Sequence, residues 1–252
     1  MCTVTYIPTG ETDFILTSNR DEAPERETIP PKIYTEEALK LLYPKDVLAG
    51  GTWIGISSRN RLVNLMNGGF KPHKRKPFYR KSRGLVVKEL LKVKSIDDYL
   101  KKEDFSEIEP FTAIVVIWET DIVLIEIVWD GNTLHKTTKP QMPHIWSSSP
   151  LYSTEFQQMR KNWFRTFLEK NNKSPDNVLH FHRTGGEGNP ESNLIMDRGV
   201  VKTKSITQIV KSQNQIHMDY DDLQTGEKTK KTLLSCKHSL KKIRSYMIFL
   251  FL

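Results

Sequence analysis

The sequence predicts an α+β fold in which mostly antiparallel sheets lie between helical layers. Three features lead to this prediction. Short β-branched or alternating segments come in pairs that are joined by polar turns. Residues 112–118 and 122–129 are almost continuous in Ile, Val and Leu, which indicates strands covered on both faces. Helical patterns elsewhere in the chain supply the layers that would cover them.

Four hairpins are predicted in chain order. The segments within each pair are separated by turn-forming residues, which favours antiparallel pairing. The predicted pairs are residues 3–7 with 14–18, 53–57 with 61–66, 112–118 with 122–129, and 205–211 with 215–220.

Two helices are predicted to form the covering layers. Residues 82–93 carry a mixed apolar stripe that includes Leu85, Val86 and Leu90. Residues 153–170 form the stronger pattern, because Ser153 can cap the helix and aromatic residues such as Phe156 recur at steps of three or four. We expect this aromatic stripe to pack in the core.

The chain is predicted to form one domain, residues 1–233, followed by a tail, residues 234–252, to which we assign no role. The last seven residues are apolar, whereas a bilayer-spanning helix needs about 20. The N-terminus lacks the basic and apolar regions of a secretory signal. We therefore expect a cytoplasmic protein with no transmembrane segment, and we predict no oligomeric state.

The net charge of +8 raises the question of nucleic-acid binding. Seven cationic residues lie within the thirteen residues 71–83, interleaved with Phe78 and Tyr79. Such a cluster can follow a phosphate backbone. Because Pro72 and Pro77 interrupt it and a helix follows, we interpret the cluster as a solvated loop and expect no nucleic-acid partner.

Cysteine and histidine spacing gives no metal or disulfide framework. The two cysteines, Cys2 and Cys236, stand at opposite ends of the chain. His180 and His182 have no acidic or thiol partner nearby, so we interpret them as residues on a helix surface. Residues 185–188 are interpreted as a loop. No metal and no cofactor is expected.

The second residue carries the main chemical hypothesis. Removal of Met1 would leave Cys2 with a thiol of ordinary pKa about 8.5 beside an α-amine of pKa about 8. A proton can pass between such groups near neutral pH, so that nucleophile and base share one residue. The alternative is that Cys2 is a small buried residue that begins a strand. Its position alone does not decide between them.

The next predicted strand, residues 14–18, leads directly into Asn19, Arg20, Asp21 and Glu22. Hairpin pairing would bring this polar end close to Cys2. Arg20 could then favour the thiolate, and Asp21 could hold the α-amine. The alternative is a charged turn held by an ion pair between Arg20 and Glu22.

Several motifs together resemble the NRDE family, which is also called the transport-and-Golgi-organisation family. The resemblance begins with Met1-Cys2 and the Asn-Arg-Asp-Glu run at 19–22. It continues with Gly-Gly-Thr-Trp-Ile-Gly at 50–55, with Asn67 and with Ser-Arg-Gly at 82–84. Weaker matches extend it to about residue 209. From residues alone, the Gly-Gly-Thr-Trp segment is either a ligand-binding turn or a tight strand entry with Trp53 in the core.

That family is similar to the N-terminal-nucleophile (Ntn) hydrolases that include penicillin V acylase and bile salt hydrolase. The resemblance implies an Ntn hydrolase-like αββα sandwich, a nucleophile at Cys2 and a supporting carboxylate at Asp21. Three positions depart from the acylase pattern. The acylase Arg falls on Ser18, its oxyanion Asn on Ser148, and its distal Arg on Lys204.

Two functions follow as hypotheses. The first is a Cys2-dependent amidohydrolase that cleaves a nonpeptide C–N bond in a small molecule, assisted by Arg20 and Asp21, with Asn67 and Ser148 donating to the oxyanion. The second is a non-catalytic trafficking or carrier protein that binds a hydrophobic, haem- or lipid-like ligand in the same cleft.

Overall fold

The computed structural model describes residues 2–150 and 152–234, with the backbone alone described for Cys2 and Leu234. The predicted tail, residues 234–252, therefore lies outside the described residues except for the backbone of Leu234. The described residues form thirteen strands and four helices. In chain order they are β1 (Cys2–Pro8), β2 (Phe14–Glu22), β3 (Thr28–Glu36), β4 (Leu39–Asp46), β5 (Ile54–Ser57), β6 (Arg61–Asn67), α1 (Arg83–Lys92), α2 (Ile96–Lys102), β7 (Phe111–Trp118), β8 (Ile122–Trp129), β9 (Leu134–Lys139), β10 (His144–Ser147), α3 (Thr154–Lys170), α4 (Pro175–Thr184), β11 (Lys202–Ser212), β12 (Gln215–Asp222) and β13 (Lys228–Leu234).

The strands form two antiparallel sheets. The first sheet has the order β10-β1-β2-β11-β12-β13, and the second has the order β3-β4-β5-β6-β7-β8-β9. The second sheet is a meander, because each strand pairs with its neighbour in the chain. The first sheet joins the N-terminal hairpin to β10 on one side and to β11, β12 and β13, from the last third of the chain, on the other. β1 therefore lies between β2 and β10.

The two sheets pack face to face across an apolar core. Val4 and Leu16 of the first sheet belong to one buried cluster with Ile54 and Val116 of the second. These side chains occupy alternate positions on their strands, which is the pattern expected when one face of a sheet is turned toward a partner sheet.

A helical layer covers the outer face of each sheet. Leu90 of α1 packs with Val63 and Val115 of the second sheet. Phe164 of α3 and Phe181 of α4 share a cluster with Ile15 of the first sheet. The result is a four-layer αββα sandwich, which confirms the predicted fold class.

The four predicted hairpins are confirmed, with strand ends that differ by a few residues. Both predicted helices are also present, and Ser153 caps α3 by accepting a hydrogen bond from the Phe156 amide. The hairpin of β3 and β4 was not predicted. Consecutive prolines at 30 and 31 interrupt its first strand, and its turn uses Glu37 and Ala38 at φ of 50° and 63° rather than the glycine or asparagine that usually indicates such a turn.

Among the helices of residues 2–150 and 152–234, none is long and apolar enough to cross a membrane. The basic segment 71–83 is an exposed loop up to the start of α1, as predicted. The glycine-rich segment 185–188 also lies outside the helices and strands.

Candidate active site

The backbone of Cys2 lies at the start of β1, directly opposite Arg20 on β2. Directly opposed residues of an antiparallel pair share one face of the sheet. The even-numbered positions of both strands face the second sheet. Ser18 accepts a hydrogen bond from Asn64 of β6, and Arg20 reaches Asp46 of β4. Position 2 therefore lies on the face that looks into the space between the sheets.

Arg20 is a buried cation that joins the two sheets. Its Nη2 lies 2.7 Å from an Asp46 carboxylate oxygen, whereas Glu22 lies 3.9 Å away. The guanidinium also stacks 4.2 Å above the centre of the Trp53 ring. The principal ion pair of Arg20 is thus with Asp46 on β4, and the alternative of a turn held mainly by Glu22 does not describe this side chain.

Asp46 is a site residue that the sequence did not reveal. Its carboxylate accepts hydrogen bonds from Arg20, from Arg26 at 3.0 to 3.1 Å and from the Ala49 amide at 2.8 Å. Nothing in the local pattern of β4 distinguishes this aspartate from a strand-terminal residue. Its role depends on packing between sheets that are far apart in sequence.

Asp21 faces the opposite way, toward the helical layer. It is fully buried and accepts hydrogen bonds from the Tyr152 hydroxyl at 2.6 Å and from the Thr203 hydroxyl at 2.7 Å. Burial raises the pKa of the Asp21 carboxyl, although these two hydrogen bonds and the charge of Arg160 oppose the rise. The carboxylate is therefore held in one orientation beside the first residues of β1.

Arg160 supports this carboxylate from α3. Its guanidinium is completely buried and stacks 3.5 Å from the centre of the Tyr152 ring. It donates to the Thr3 hydroxyl at 2.7 Å and to the Ser192 and Asn193 carbonyls at 2.9 and 2.7 Å. Arg160 lies on the buried stripe of α3, and a charged residue at a core-facing helical position was the signal that could have revealed it.

Asn67 and Ser148 differ in how the structure places them. Asn67 ends β6 and lies on the cavity wall together with Arg20. Ser148 follows β10; it is buried, and its hydroxyl finds no hydrogen-bond partner among the described residues. The cavity lining does not include it, but the chain after Ser148 packs closely against Gly68, the neighbour of Asn67.

Lys204, another position that departs from the acylase pattern, fixes the loop after β2. Its ammonium donates to the Pro24 and Arg26 carbonyls at 2.6 Å each. Burial and then the charge of Arg20 lower the pKa of Lys204. The lysine consequently acts on the backbone that leads from β2 toward β3.

The interpretation of His182 as a helix-surface residue was wrong. His182 lies on α4 but is completely buried, because α4 packs on the first sheet. Its ring nitrogens bond the Thr5 hydroxyl and the Asn19 side-chain oxygen, each at 2.7 Å. His180, on the same helix, is exposed as expected.

A cleft opens beside this end of the first hairpin. Its inner part, of about 100 Å³, is lined by Arg20, Asp46, Trp53 and Asn67 among others. Its outer part, of about 560 Å³, shares lining residues with the inner part and continues along the loop before α1. Trp53 is buried in the core, as the strand-entry interpretation expects, and it also forms part of the cavity wall.

Two glycines bring the cavity walls together. A Cβ on Gly51 would lie 2.6 Å from the backbone carbon of Gly84 at the start of α1.

We expect Gly51→Ala to lower the free energy of unfolding by about 1–3 kcal/mol, because backbone must move to admit the methyl group. Urea unfolding measures this change. Gly10→Ala is the matched control, since its Cβ would meet ordinary contacts at 3.5 Å and beyond. Equal small effects of both substitutions would contradict the tight approach.

The layer order, the sheet pairing and the position of β1 between β2 and β10 define an Ntn hydrolase-like fold. Similar solved structures include a mutant of conjugated bile acid hydrolase from Clostridium perfringens, at 10% identity and a TM-score of 0.53, with 94% of this chain and 98% of that chain covered. Penicillin V acylase from Agrobacterium tumefaciens gives 10% identity and 0.51, with 91% and 85% covered. An N-acylethanolamine-hydrolyzing acid amidase ortholog from Caenorhabditis elegans gives 12% identity and 0.54, with 82% and 92% covered.

The family model described as Transport and Golgi organisation 2 matches residues 1–240. The chain therefore belongs to that family, as its motifs indicated. No curated protein matches the chain in sequence. At such low identities, the similar structures establish the fold alone.

Proposed function

We propose that this protein is an amidohydrolase that uses Cys2, exposed by removal of Met1, to cleave a nonpeptide C–N bond in a small molecule. The observation that carries the proposal is the register of the first hairpin. It sets the backbone of Cys2 opposite Arg20, which lines the cleft, and next to the position of the buried Asp21. We propose that the reaction takes place in the cytoplasm.

The proposed reaction has two steps. The Cys2 thiolate attacks the amide carbonyl carbon, the C–N bond breaks, and the leaving amine takes a proton from the α-ammonium group of Cys2. Water then attacks the thioester and gives a proton to the α-amine, which returns the thiolate and releases a carboxylic acid. Each proton thus passes through the amine of the nucleophilic residue itself.

Asp21 is proposed to orient that amine. Its carboxylate accepts hydrogen bonds from Tyr152 and Thr203, and these two bonds hold the carboxylate in one orientation. A negative charge near an ammonium group also favours the charged form of the amine. Arg20 is proposed to stabilise the negative charge of the thiolate from the side of the cleft. Its own charge is partly neutralised by Asp46.

Asn67 and Ser148 are proposed to donate hydrogen bonds to the oxyanion. Asn67 already lies on the cleft wall. Ser148 does not line the cavity, but its buried hydroxyl makes no hydrogen bond to any of the described residues. Since buried polar atoms usually have partners, we propose that this unused donor serves a bound group. Loss of one such donor typically lowers the rate by about 10²–10³-fold.

Intact-mass spectrometry of the full chain tests the proposal. We expect Met1 to be absent and iodoacetamide to label Cys2 faster than Cys236. With a panel of N-acyl amides, we expect a thioester adduct of the acyl group on the native chain and on Cys236→Ala, and none on Cys2→Ala. Retention of Met1, or turnover by Cys2→Ala, would disprove the mechanism.

The same panel separates the catalytic proposal from the carrier hypothesis. Ligand binding that survives Cys2→Ala, with no turnover or adduct on the native chain, would support a non-catalytic carrier of a haem- or lipid-like ligand. The outcome is decided by turnover, because both hypotheses use the same cleft.

A further inference from the structure

The loop between β6 and α1 forms one wall of the outer cleft. This loop contains most of the basic cluster that the sequence showed at 71–83. The cationic residues that line the outer cleft are Arg26, Arg75, Lys76, Lys81 and Arg83, against two carboxylates, Glu22 and Glu109. The lining of the outer cleft therefore carries more positive than negative side chains.

Three of these cations have partners. Arg83 pairs with Glu109 at 2.9 Å. Lys81 pairs with Glu103 at 3.1 Å. Arg26 pairs with Asp46 at 3.0 Å. Glu109 is further engaged by His73 at 3.3 Å, so it is already shared.

Arg75 and Lys76 differ from those three. Neither side chain has an ion-pair partner among residues 2–150 and 152–234, and both are exposed on the loop that lines the cleft. Burial lowers the pKa of the neighbouring Arg83, and the charge of Arg75 lowers it further, although Glu109 and Glu22 act in the opposite direction. Arg75 and Lys76 thus add two positive charges to the cleft wall that no carboxylate of the described residues pairs.

The shape of this charged surface favours a small ligand. The cations line a concavity of about 560 Å³, within the usual range for small-molecule sites, rather than a flat or convex face. The concavity continues into the inner cavity beside Arg20 and Asn67. Phe78 lines the same space with 72% of its surface exposed, which offers an apolar contact next to the cations.

We infer that the outer cleft is an anion subsite in which Arg75 and Lys76 bind a carboxylate at one end of an acyl amide substrate. The substrate class is then an N-acyl amino acid rather than a neutral amide. This inference rests on the proposed function for the identity of the cleaved bond. The binding of the anion depends only on the charge and shape of the wall.

Binding to the full chain carrying Cys2→Ala tests the subsite without turnover. The probes are N-octanoylglycine and the neutral N-octanoylethanolamine, measured by isothermal titration calorimetry. We expect the anionic probe to bind more tightly, and Arg75→Glu with Lys76→Glu to weaken it at least about tenfold while changing the neutral probe less than about threefold. Added salt should weaken the anionic probe alone.

The control is Lys170→Glu with Lys173→Glu, which makes the same change in net charge at exposed positions outside the cleft. Equal weakening by the two double variants would overturn the subsite, because net charge would then explain the effect. Equal affinity of the two probes would also overturn it. If the anionic probe binds as expected but the Cys2-containing protein never cleaves it, the proposed function fails and the subsite stands.

Discussion

Lowering the pH from 6.5 toward 3 is expected to destabilise the protein by about 1.4 kcal/mol per pH unit through His182 alone. Burial, and then the charge of Arg160, lower the pKa of His182 from an ordinary value of 6.5 to about 3. The folded protein therefore keeps this ring neutral at pH values where the unfolded chain binds a proton. Across the whole window, the loss amounts to about 5 kcal/mol.

Hydrogen bonding explains why the neutral ring fits. Both amide hydrogens of Asn19 go to carbonyls, those of His182 and Leu194, at 3.0 and 2.7 Å. The Asn19 side-chain oxygen is then an acceptor for the Nδ1 hydrogen of His182, and Nε2 accepts from the Thr5 hydroxyl. Protonation of Nε2 would remove that acceptor and put a second positive charge near Arg160.

The sign of the effect follows from linkage. The contribution of His182 to stability is complete above pH 6.5, declines as the unfolded chain takes up its proton, and is fully lost near pH 3. Urea unfolding at several pH values measures the slope. His182→Asn should be less stable at pH 7 but should lose less stability on acidification, because asparagine has no group that titrates.

His180→Asn is the matched control on the same helix. Because His180 is exposed and lies outside the buried hydrogen bonds of His182, its substitution should not reproduce the effect of His182→Asn. An identical slope for His182→Asn and the native chain would contradict the assignment of acid sensitivity to the buried ring. Asp21 does not mimic the effect, because its raised pKa makes the folded state bind protons more readily as the pH falls.

The sequence predicted those elements of the fold that depend on local residue patterns. Alternation and turn residues located the hairpin of β1 and β2, and the aromatic stripe located α3. The hairpin of β3 and β4 was not predicted because two prolines interrupt β3 and its turn uses Glu37 and Ala38 rather than glycine or asparagine. Sheet order could not be read at all, since β2 pairs with β11 from nearly two hundred residues away.

The candidate site likewise contains some residues that local patterns predict and others that they do not. Cys2, Arg20 and Asp21 could be proposed together because hairpin pairing alone brings their positions near one another. Tyr152 and Asp46 could not, because their contacts arise only when α3 docks on the first sheet and when the two sheets pack. Residues that support a site from another layer leave little pattern in a single sequence; Arg160, a charged residue on the apolar stripe of α3, is the exception.

Asp46→Asn is expected to lower the free energy of unfolding by about 3 kcal/mol. The substitution keeps the shape of the side chain but removes the charge that neutralises Arg20, whose guanidinium is 5% exposed. Breaking a buried ion pair from one side costs about 3–5 kcal/mol because the other charge is left uncompensated. Glu22, at 3.9 Å, offers only partial relief.

The control is Asp97→Asn, which removes the carboxylate of an exposed ion pair with Lys136 and should cost less than about 1 kcal/mol. A double-mutant cycle with Arg20→Met isolates the coupling between the two buried charges. If Arg20 and Asp46 act as one unit, the double variant should be less destabilised than the sum of the single variants, since no buried charge is left alone. Strict additivity would contradict this. It would mean that Arg26 compensates the charge of Asp46, or Glu22 that of Arg20, and that Arg20 is held in position by its contact with Trp53.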